Sequence, residues 1–339
     1  MRILAVCAVA HPGGAEIGLL RLARRLAARG HVLTLATPGP GPLDDAGLPV
    51  VRIALGGMDR GAGARAALSW PRVRRLSRDA DLVYLNGTVS GRLLPALAGR
   101  RTVLHVHDIV ERVPRFWSLA NAVLADSQAV ADRLPSLGAH VVYCPVELDV
   151  PDVPAPWPAA PAGMDGPVVG FVGRLEPRKG PLDLARAAPA IRAGAPGARI
   201  VLVGDDPYGS APGYVERVRA ADGVEHVPWV ADGAAVMRHL DVLVAPSRQE
   251  PFGTVLAEAM AAGTPVVATR VGGLAEVVAD GETGRLVTPG RPDELAAAVL
   301  EVLGRRAQMG AAARERAQRF GADAYADRVE AILLQAADR

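Results

Sequence analysis

Short runs of Val, Ile and Leu alternate along this chain with longer Ala-, Leu- and Arg-rich stretches whose apolar positions recur at the helical period. In the first half the runs are RILAVCAVA, HVLTLAT, VRIAL, DLVYLN, TVLHVHD, AVLADS and VVYCPV; in the second they are VVGFVG, RIVLVGD, VEHVPW, DVLVAPS, PVVATR and RLVTP. Apolar runs of this kind predict strands buried on both faces, and strands separated by helical stretches predict a parallel sheet with helices above and below it. The rhythm occurs twice, so the chain is expected to be α/β with two Rossmann-like domains. Between the halves lies VPDVPAPWPAAPAGMDGP, whose prolines exclude helix interiors and central strands and predict an extended linker. The expected boundaries are a first domain over 1–150, a linker over 151–166, a second domain over 167–320 and a C-terminal helix over 321–339 that can pack back on the first domain.

The chain has 339 residues, 50% of them hydrophobic and 22% charged, which is enough to bury two ordinary cores. Its two cysteines, Cys7 and Cys144, sit in apolar runs and read as small buried hydrophobes, so no disulfide framework is expected. The run MRILAVCAVAHPGG lacks the order of regions found in a signal peptide and is too short to span a membrane, which predicts an unexported, cytoplasmic protein.

Net charge is +2, but residues 1–150 carry 18 Arg against 12 acids and the remainder 20 Lys and Arg against 24 acids, about +6 and −4 for the two parts. Six of the arginines lie in RGAGARAALSWPRVRRLSR, which opens on Arg60, closes on Arg78 and contains no acid. A solvated helix face explains such a run. Contact with an anionic acceptor, or peripheral contact with the inner face of a membrane, is the sharper expectation. Aromatic residues are scarce, at 4%, and no nucleic-acid module is recognisable, so no nucleic-acid partner is expected.

In doubly wound sheets ligands bind beyond the carboxyl ends of the strands, where helix N-termini aim their free N–H groups outward. After the first strand comes HPGGAE, with His11, the pair Gly13 and Gly14, and Glu16; the glycines let backbone approach a ligand. VLHVHD puts His105 and His107 on one strand face, with Asp108 at the exit. In the second half VVGFVGRLEPRKG ends a strand at Gly173 and places Arg174 and Lys179 in the following loop. Lys179 is the only lysine among 38 Lys and Arg residues. A guanidinium fork and a compact ammonium together suit a diphosphate. Farther on, EPFGTVLAE sets Glu250 before Phe252, Gly253, Thr254 and Val255, where a helix opens, and Glu258 one turn inside it. The helix start favours an anion, and the two carboxylates suit sugar or ribose hydroxyls. No His/Cys cluster at ligand spacing is read from the chain, so neither a metal nor a cofactor is expected.

With these residues in place, the chain resembles the retaining glycosyltransferases of family 4, which have the GT-B fold of two facing Rossmann-like domains. The resemblance rests on GGAE, HVHD, SQAVADRL, GRLEPRKG, LVGDDP and the Glu-x7-Glu pattern of Glu250 and Glu258, and it covers nearly the whole chain. It implies a nucleotide-sugar donor, UDP- or GDP-linked by family frequency, and transfer of a hexose-type sugar to a small-molecule, glycan or lipid acceptor. It further implies that Arg174 and Lys179 hold the donor diphosphate. Gly253, Thr254 and Val255, with Gly173 and Phe252 beside them, would border the donor. Glu258 would bind the ribose, Glu250 the sugar hydroxyls and His107 the sugar near the reacting carbon. Gly13 and Gly14 would approach the donor, while His11, Glu16 and Asp108 are acceptor-side candidates. Retention by front-face attack, without a metal, is the implied mechanism. The chain departs from the family at CPVELDVP, where many members carry Asn-Gly before an acidic residue, and it is short for the family. A sugar-nucleotide epimerase and a catalytically silent nucleotide-sugar-binding protein are rival readings on the same fold.

Overall fold

The computed structural model describes residues 1–9, 13–55, 62–159, 163–209, 211–230 and 233–338. Within them each of the thirteen apolar runs carries a strand: β1 (Arg2–Cys7), β2 (Val32–Thr37), β3 (Val50–Arg52), β4 (Leu82–Asn86), β5 (Thr102–Val106), β6 (Ala122–Ala125), β7 (His140–Val141), β8 (Val168–Val172), β9 (Arg199–Val203), β10 (Glu225–Val227), β11 (Val242–Ala245), β12 (Val266–Thr269) and β13 (Gly284–Val287). They form a seven-stranded sheet in the order β3-β2-β1-β4-β5-β6-β7 and a six-stranded sheet in the order β10-β9-β8-β11-β12-β13. Neighbouring strands run parallel in both. Every residue of β4, β5, β9, β11 and β12 is buried, as unbroken apolar runs require when helices cover both faces. Each sheet reverses its order once, between β1 and β4 and between β8 and β11, and such a switch point opens a crevice at the carboxyl ends.

VVYCPV is the run that falls short of its prediction. Pairing stops at Val141, and downstream only Val146 makes a bridge, to Gly321. Pro145 has no N–H to give a ladder and restricts Cys144 before it, so the edge strand ends early.

The chain divides into two compact units, one made of Met1–Pro145 and Ala322–Arg339, the other of Val146–Gly321. In the first, the C-terminal helix Ala322–Asp338 buries Tyr325, Ala326, Val329, Leu333 and Ala336 in the same core as Leu19, Leu22 and Leu26 of the helix Gly14–Ala28 and Tyr84 of β4. Ion pairs line the rim of that contact: Arg25 to Asp323 at 2.6 Å, Arg29 to Asp327 at 2.6 Å and to Glu330 at 2.5 Å, and His31 to Glu330 at 2.7 Å. In the second unit the helices Pro181–Gly194 and Pro292–Gly304 pack together against one face of its sheet. The proline-rich segment joins this unit through side-chain donors, because its prolines cannot offer N–H groups. Arg238 donates to the Val150 carbonyl at 2.7 Å, His239 contacts that of Val153 at 2.6 Å and Arg199 donates to that of Pro158 at 3.0 Å. Both cysteines are buried thiols that form no disulfide. No described helix is long and apolar enough to cross a membrane.

Burial rather than charge should hold the C-terminal helix, since partly exposed ion pairs contribute little. Leu333 is fully buried, and Leu333→Ala is expected to lower unfolding stability by about 2–5 kcal/mol in urea titrations. Arg29→Ala should cost under about 1 kcal/mol. A larger loss from the arginine variant would overturn this ranking.

Candidate active site

In the second unit the loop after β8 forms a tight knot of charge. Arg174 lies 3.2 Å and Arg178 2.9 Å from the same oxygen of Glu176, and Arg174 also sits over the Tyr208 ring at 5.6 Å. Three residues beyond Glu176 the loop turns through Lys179, whose backbone N–H donates to the Glu176 carbonyl at 3.0 Å. Gly180 then opens the helix Pro181–Gly194 in a left-handed conformation, φ +70°, and a Cβ there would meet the Pro246 carbonyl oxygen at 2.2 Å. Only glycine permits that approach, which brings the loop against the segment after β11.

The close approach explains the central contact of this unit. The Lys179 ammonium donates to a carboxylate oxygen of Glu250, with the two side chains only 18% and 10% exposed. Arg178 clamps the same segment by donating to the Gln249 carbonyl at 3.1 Å. Sequence reasoning assigned Lys179 and Glu250 to different parts of a ligand. The fold makes them partners of each other.

Glu250 is followed by the helix Thr254–Ala262, whose N-cap is Gly253 at φ +96° with no side-chain cap. A Cβ on Gly253 would meet Leu274 at 2.3 Å, so this corner too depends on glycine. The uncapped first turn presents N–H groups to an anion. Thr254, Val255 and Glu258 are half-buried along this helix. Phe252 is different: its ring is buried edge-to-face on Phe320 at 5.5 Å and acts as core. Gly173 continues β8 at φ +151°.

In the first unit the polar residues collect at the carboxyl ends of β4, β5 and β6. His105 and His107 project on one side of β5, their ring centroids 4.0 Å apart. Between them and β6 stands Asp126, 2.7 Å from His107 Nδ1 and 2.8 Å from His105 Nε2, the second contact lying off the line that a hydrogen bond needs. His107 Nε2 is 2.9 Å from Asn86 Oδ1, and His105 Nδ1 is 2.6 Å from the Tyr84 hydroxyl. Tyr84 in turn hydrogen-bonds Tyr325 of the C-terminal helix.

These contacts set the protonation states. Burial keeps His105 neutral, its pKa lowered to about 4, and the neighbouring His107 charge pushes the same way. Burial also opposes charging His107, but the carboxylate of Asp126 outweighs it and raises its pKa, with Glu16 and Asp108 adding to the effect. Asp126 is buried as well, which alone would favour its neutral form, yet His107 and then His105 hold it ionised far below the usual carboxylate range. Burial, followed by the Glu16 charge, pushes the Cys7 thiol well above its ordinary value.

Asp126 and Asn86 were missed by the sequence reading, although each is the polar residue closing an apolar strand run, in VLADS and LVYLNG. The fold also brings together three cation-ligating types, His105, His107 and Asp126, where no cluster was read. Their nitrogen–oxygen separations are 2.7 and 2.8 Å, the first a hydrogen bond. A tetrahedral cation with bonds of about 2.0–2.1 Å would hold neighbouring donors about 3.3 Å apart. Asp79 and Asp81 have an Asp-x-Asp spacing where the sequence reading found no such candidate; they lie just before β4, at the end of the strand opposite this cluster, and Asp81 accepts the Arg2 backbone N–H at 2.7 Å.

The remaining candidates are placed as follows. Gly13 caps the helix Gly14–Ala28, and Glu16 turns back to accept the Gly13 N–H at 2.9 Å, which satisfies its carboxylate within its own helix. Asp108 is exposed and accepts from Thr88 at 2.5 Å. His11 lies outside the described residues. Of the arginine-rich run, Arg60 lies outside them too; Arg72, Arg74, Arg75 and Arg78 are exposed, near Leu68 at 82% and Trp70 at 37% exposure.

The Glycosyltransferase Family 4 model matches residues 12–150 and the Glycosyl transferases group 1 model residues 166–305. A D-inositol 3-phosphate glycosyltransferase of Acidothermus cellulolyticus is 42% identical over 185 residues, half of this chain and 40% of that protein. The chain spans between 38% and 50% of the length of seven such curated relatives. An eighth, from Xylanimonas cellulosilytica, is 30% identical across 96% of this chain and 93% of its own length. Among solved structures, HepE of Anabaena in complex with UDP and glucose superposes with a TM-score of 0.80 at 27% identity, covering 99% of this chain and all of that one. Sucrose-phosphate synthase of Thermosynechococcus elongatus, at 24% identity and a TM-score of 0.78, shares the fold. Family matches over both halves, a relative alike from end to end and two parallel sheets each with a polar carboxyl edge together show that the chain belongs to the family 4 glycosyltransferases.

Proposed function

We propose that this protein moves a hexose-type sugar from a UDP- or GDP-linked donor to an acceptor hydroxyl, with retention of anomeric configuration. The observation that carries the reading is the lone lysine, paired with Glu250, beside Arg174 and an uncapped helix N-terminus. In the free protein Glu250 neutralises Lys179. A donor diphosphate offers Lys179 a second anion, and the ammonium can then bridge the leaving group and the carboxylate. As the glycosidic bond to the nucleotide breaks, negative charge grows on the diphosphate, and Arg174, Lys179 and the helix N-terminus stabilise that charge more than they stabilise the ground state. Glu250 is left to accept hydrogen bonds from sugar hydroxyls and Glu258 from the ribose. With the acceptor attacking from the leaving-group side, the departing phosphate takes its proton. Support for a uridine nucleotide comes from HepE, solved with UDP and glucose. The curated relatives' name makes a phosphorylated cyclitol the first acceptor to assay, and the arginine excess of residues 1–150 suits an anionic one.

A second acceptor reading, a lipid at an anionic surface, is favoured by exposed Leu68 and Trp70 among the arginines. On that reading the protein sediments with anionic vesicles at low salt and is released at high salt. Equal recovery in the supernatant at both salts would remove it.

A thermal-shift panel of UDP, GDP, dTDP and ADP should show one nucleotide adding about 2.7 kcal/mol at 100 times its dissociation constant. Lys179→Ala should weaken that stabilisation and lower kcat/KM by about 10²–10³-fold, the loss expected when one donor to a developing oxyanion is removed. Failure of every nucleotide with the wild type would sink the donor site. Activity should persist in EDTA, and proton NMR coupling of the product should show an α-linkage from an α-linked donor; a β-linked product would refute retention.

A further inference from the structure

The hydrogen bonds around His107 determine where its protons are. Asn86 Nδ2 faces the Ala15 carbonyl oxygen at 3.4 Å, an acceptor, which leaves the Asn86 side-chain oxygen toward the His107 ring at 2.9 Å. An amide oxygen can only accept, so His107 Nε2 carries a hydrogen. On the other edge Nδ1 faces the Asp126 carboxylate at 2.7 Å, and an ionised carboxylate also only accepts, so Nδ1 carries one too. Two acceptors on opposite edges make the ring an imidazolium.

The second histidine follows the opposite logic. Tyr325 and Tyr84 are both buried phenols whose ionisation is strongly disfavoured, and each keeps its O–H. With the Tyr84 O–H donated to His105 Nδ1, 2.6 Å away, that nitrogen accepts and the hydrogen of His105 falls on Nε2, toward Asp126. The triad then holds one negative and one positive charge within a buried region. That is the arrangement that low-dielectric surroundings tolerate best.

We propose that Asp126 is a positioning residue that keeps His107 doubly protonated, so that His107 meets substrate only as an N–H donor, through Nε2, at the place Asn86 Oδ1 now occupies. The groups facing the ring are Asp126 after β6, His105 within β5, Asn86 at the end of β4, Glu16 from the helix Gly14–Ala28 and Asp108 beside it. On this assignment His107 has no free lone pair and cannot serve as a base. What the donor meets rests on the glycosyl-transfer reading above, whereas the protonation state stands on the first unit's geometry alone.

The test uses the full chain labelled with ¹⁵N-histidine, its ring nitrogens read by two-dimensional NMR across pH and assigned with His105→Gln and His107→Gln. In the wild type both His107 nitrogens should carry hydrogens at neutral pH, the ring should titrate above the ordinary imidazole value of about 6.5, and His105 should stay neutral. Asp126→Asn keeps an acceptor but removes the charge. It should lower the His107 midpoint by more than one pH unit and move the alkaline fall of kcat/KM by a similar amount, while leaving UDP-induced stabilisation intact. A wild-type His107 midpoint at or below 6.5, or one unchanged in the variant, would overturn the proposal. So would zinc, added in stoichiometric amount to EDTA-treated protein, abolishing titration of both rings. Should Asp126→Asn fail to fold, the wild-type nitrogen spectrum decides alone. If no nucleotide stabilised the wild type while the His107 pattern held, the donor reading would fall and the protonation assignment would stand.

Discussion

A parallel sheet covered by helices on both faces leaves its polar side chains one place to go, the ends of the strands. Everything chemical in this protein follows from that constraint. In the first unit Asn86, His107 and Asp126 lie at or just past the carboxyl ends of adjacent strands, with His105 one residue inside, because an interior position would strand their polar atoms. In the second, Arg174, Lys179 and Glu250 lie in loops that leave β8 and β11 at the corresponding edge. In each unit a carboxylate stands against a cation, Asp126 against His107 and Glu250 against Lys179.

The two pairs nevertheless differ in what a ligand can do to them. Asp126 is 3% exposed and shared between two rings, so its charge is committed to the protein. Glu250 and Lys179 are also shielded from solvent, but the same loop carries Arg174 and Arg178, so that three cations face two carboxylates, Glu176 and Glu250, and an uncapped helix opens after Glu250.

The fold was legible in the sequence because hydrophobic patterning and covered parallel strands are the same fact seen in one and three dimensions: all thirteen apolar runs carry strands. VVYCPV shows the limit, since Pro145 cut short a run whose hydrophobicity promised six residues. The site was legible where a residue type stood out, as the lone Lys179 did, or where alternation implied a shared face, as with His105 and His107. It was not legible where the meaning lay in pairing across the sheet. Asn86 aligns with His105 of the next strand, and Asp126 is one residue past the end of the strand after that; no spacing along the chain announces either neighbour. Phe252 lay inside a conspicuous motif and turned out to pack in the core.

The last helix makes the first unit discontinuous. Tyr325, which hydrogen-bonds Tyr84 behind the cluster of His105, Asp126 and His107, is separated from Tyr84 by the whole of Val146–Gly321. A ribosome therefore delivers the first sheet long before it delivers the helix that seals it. Until then Leu19, Leu22 and Leu26 lack their apolar cover, and the buried triad keeps an open end. Closure of so distant a contact is slow relative to local folding. The second unit, contiguous in sequence, can be finished first. During synthesis the order of completion is the reverse of the order of translation: the half made first is the half that becomes native last.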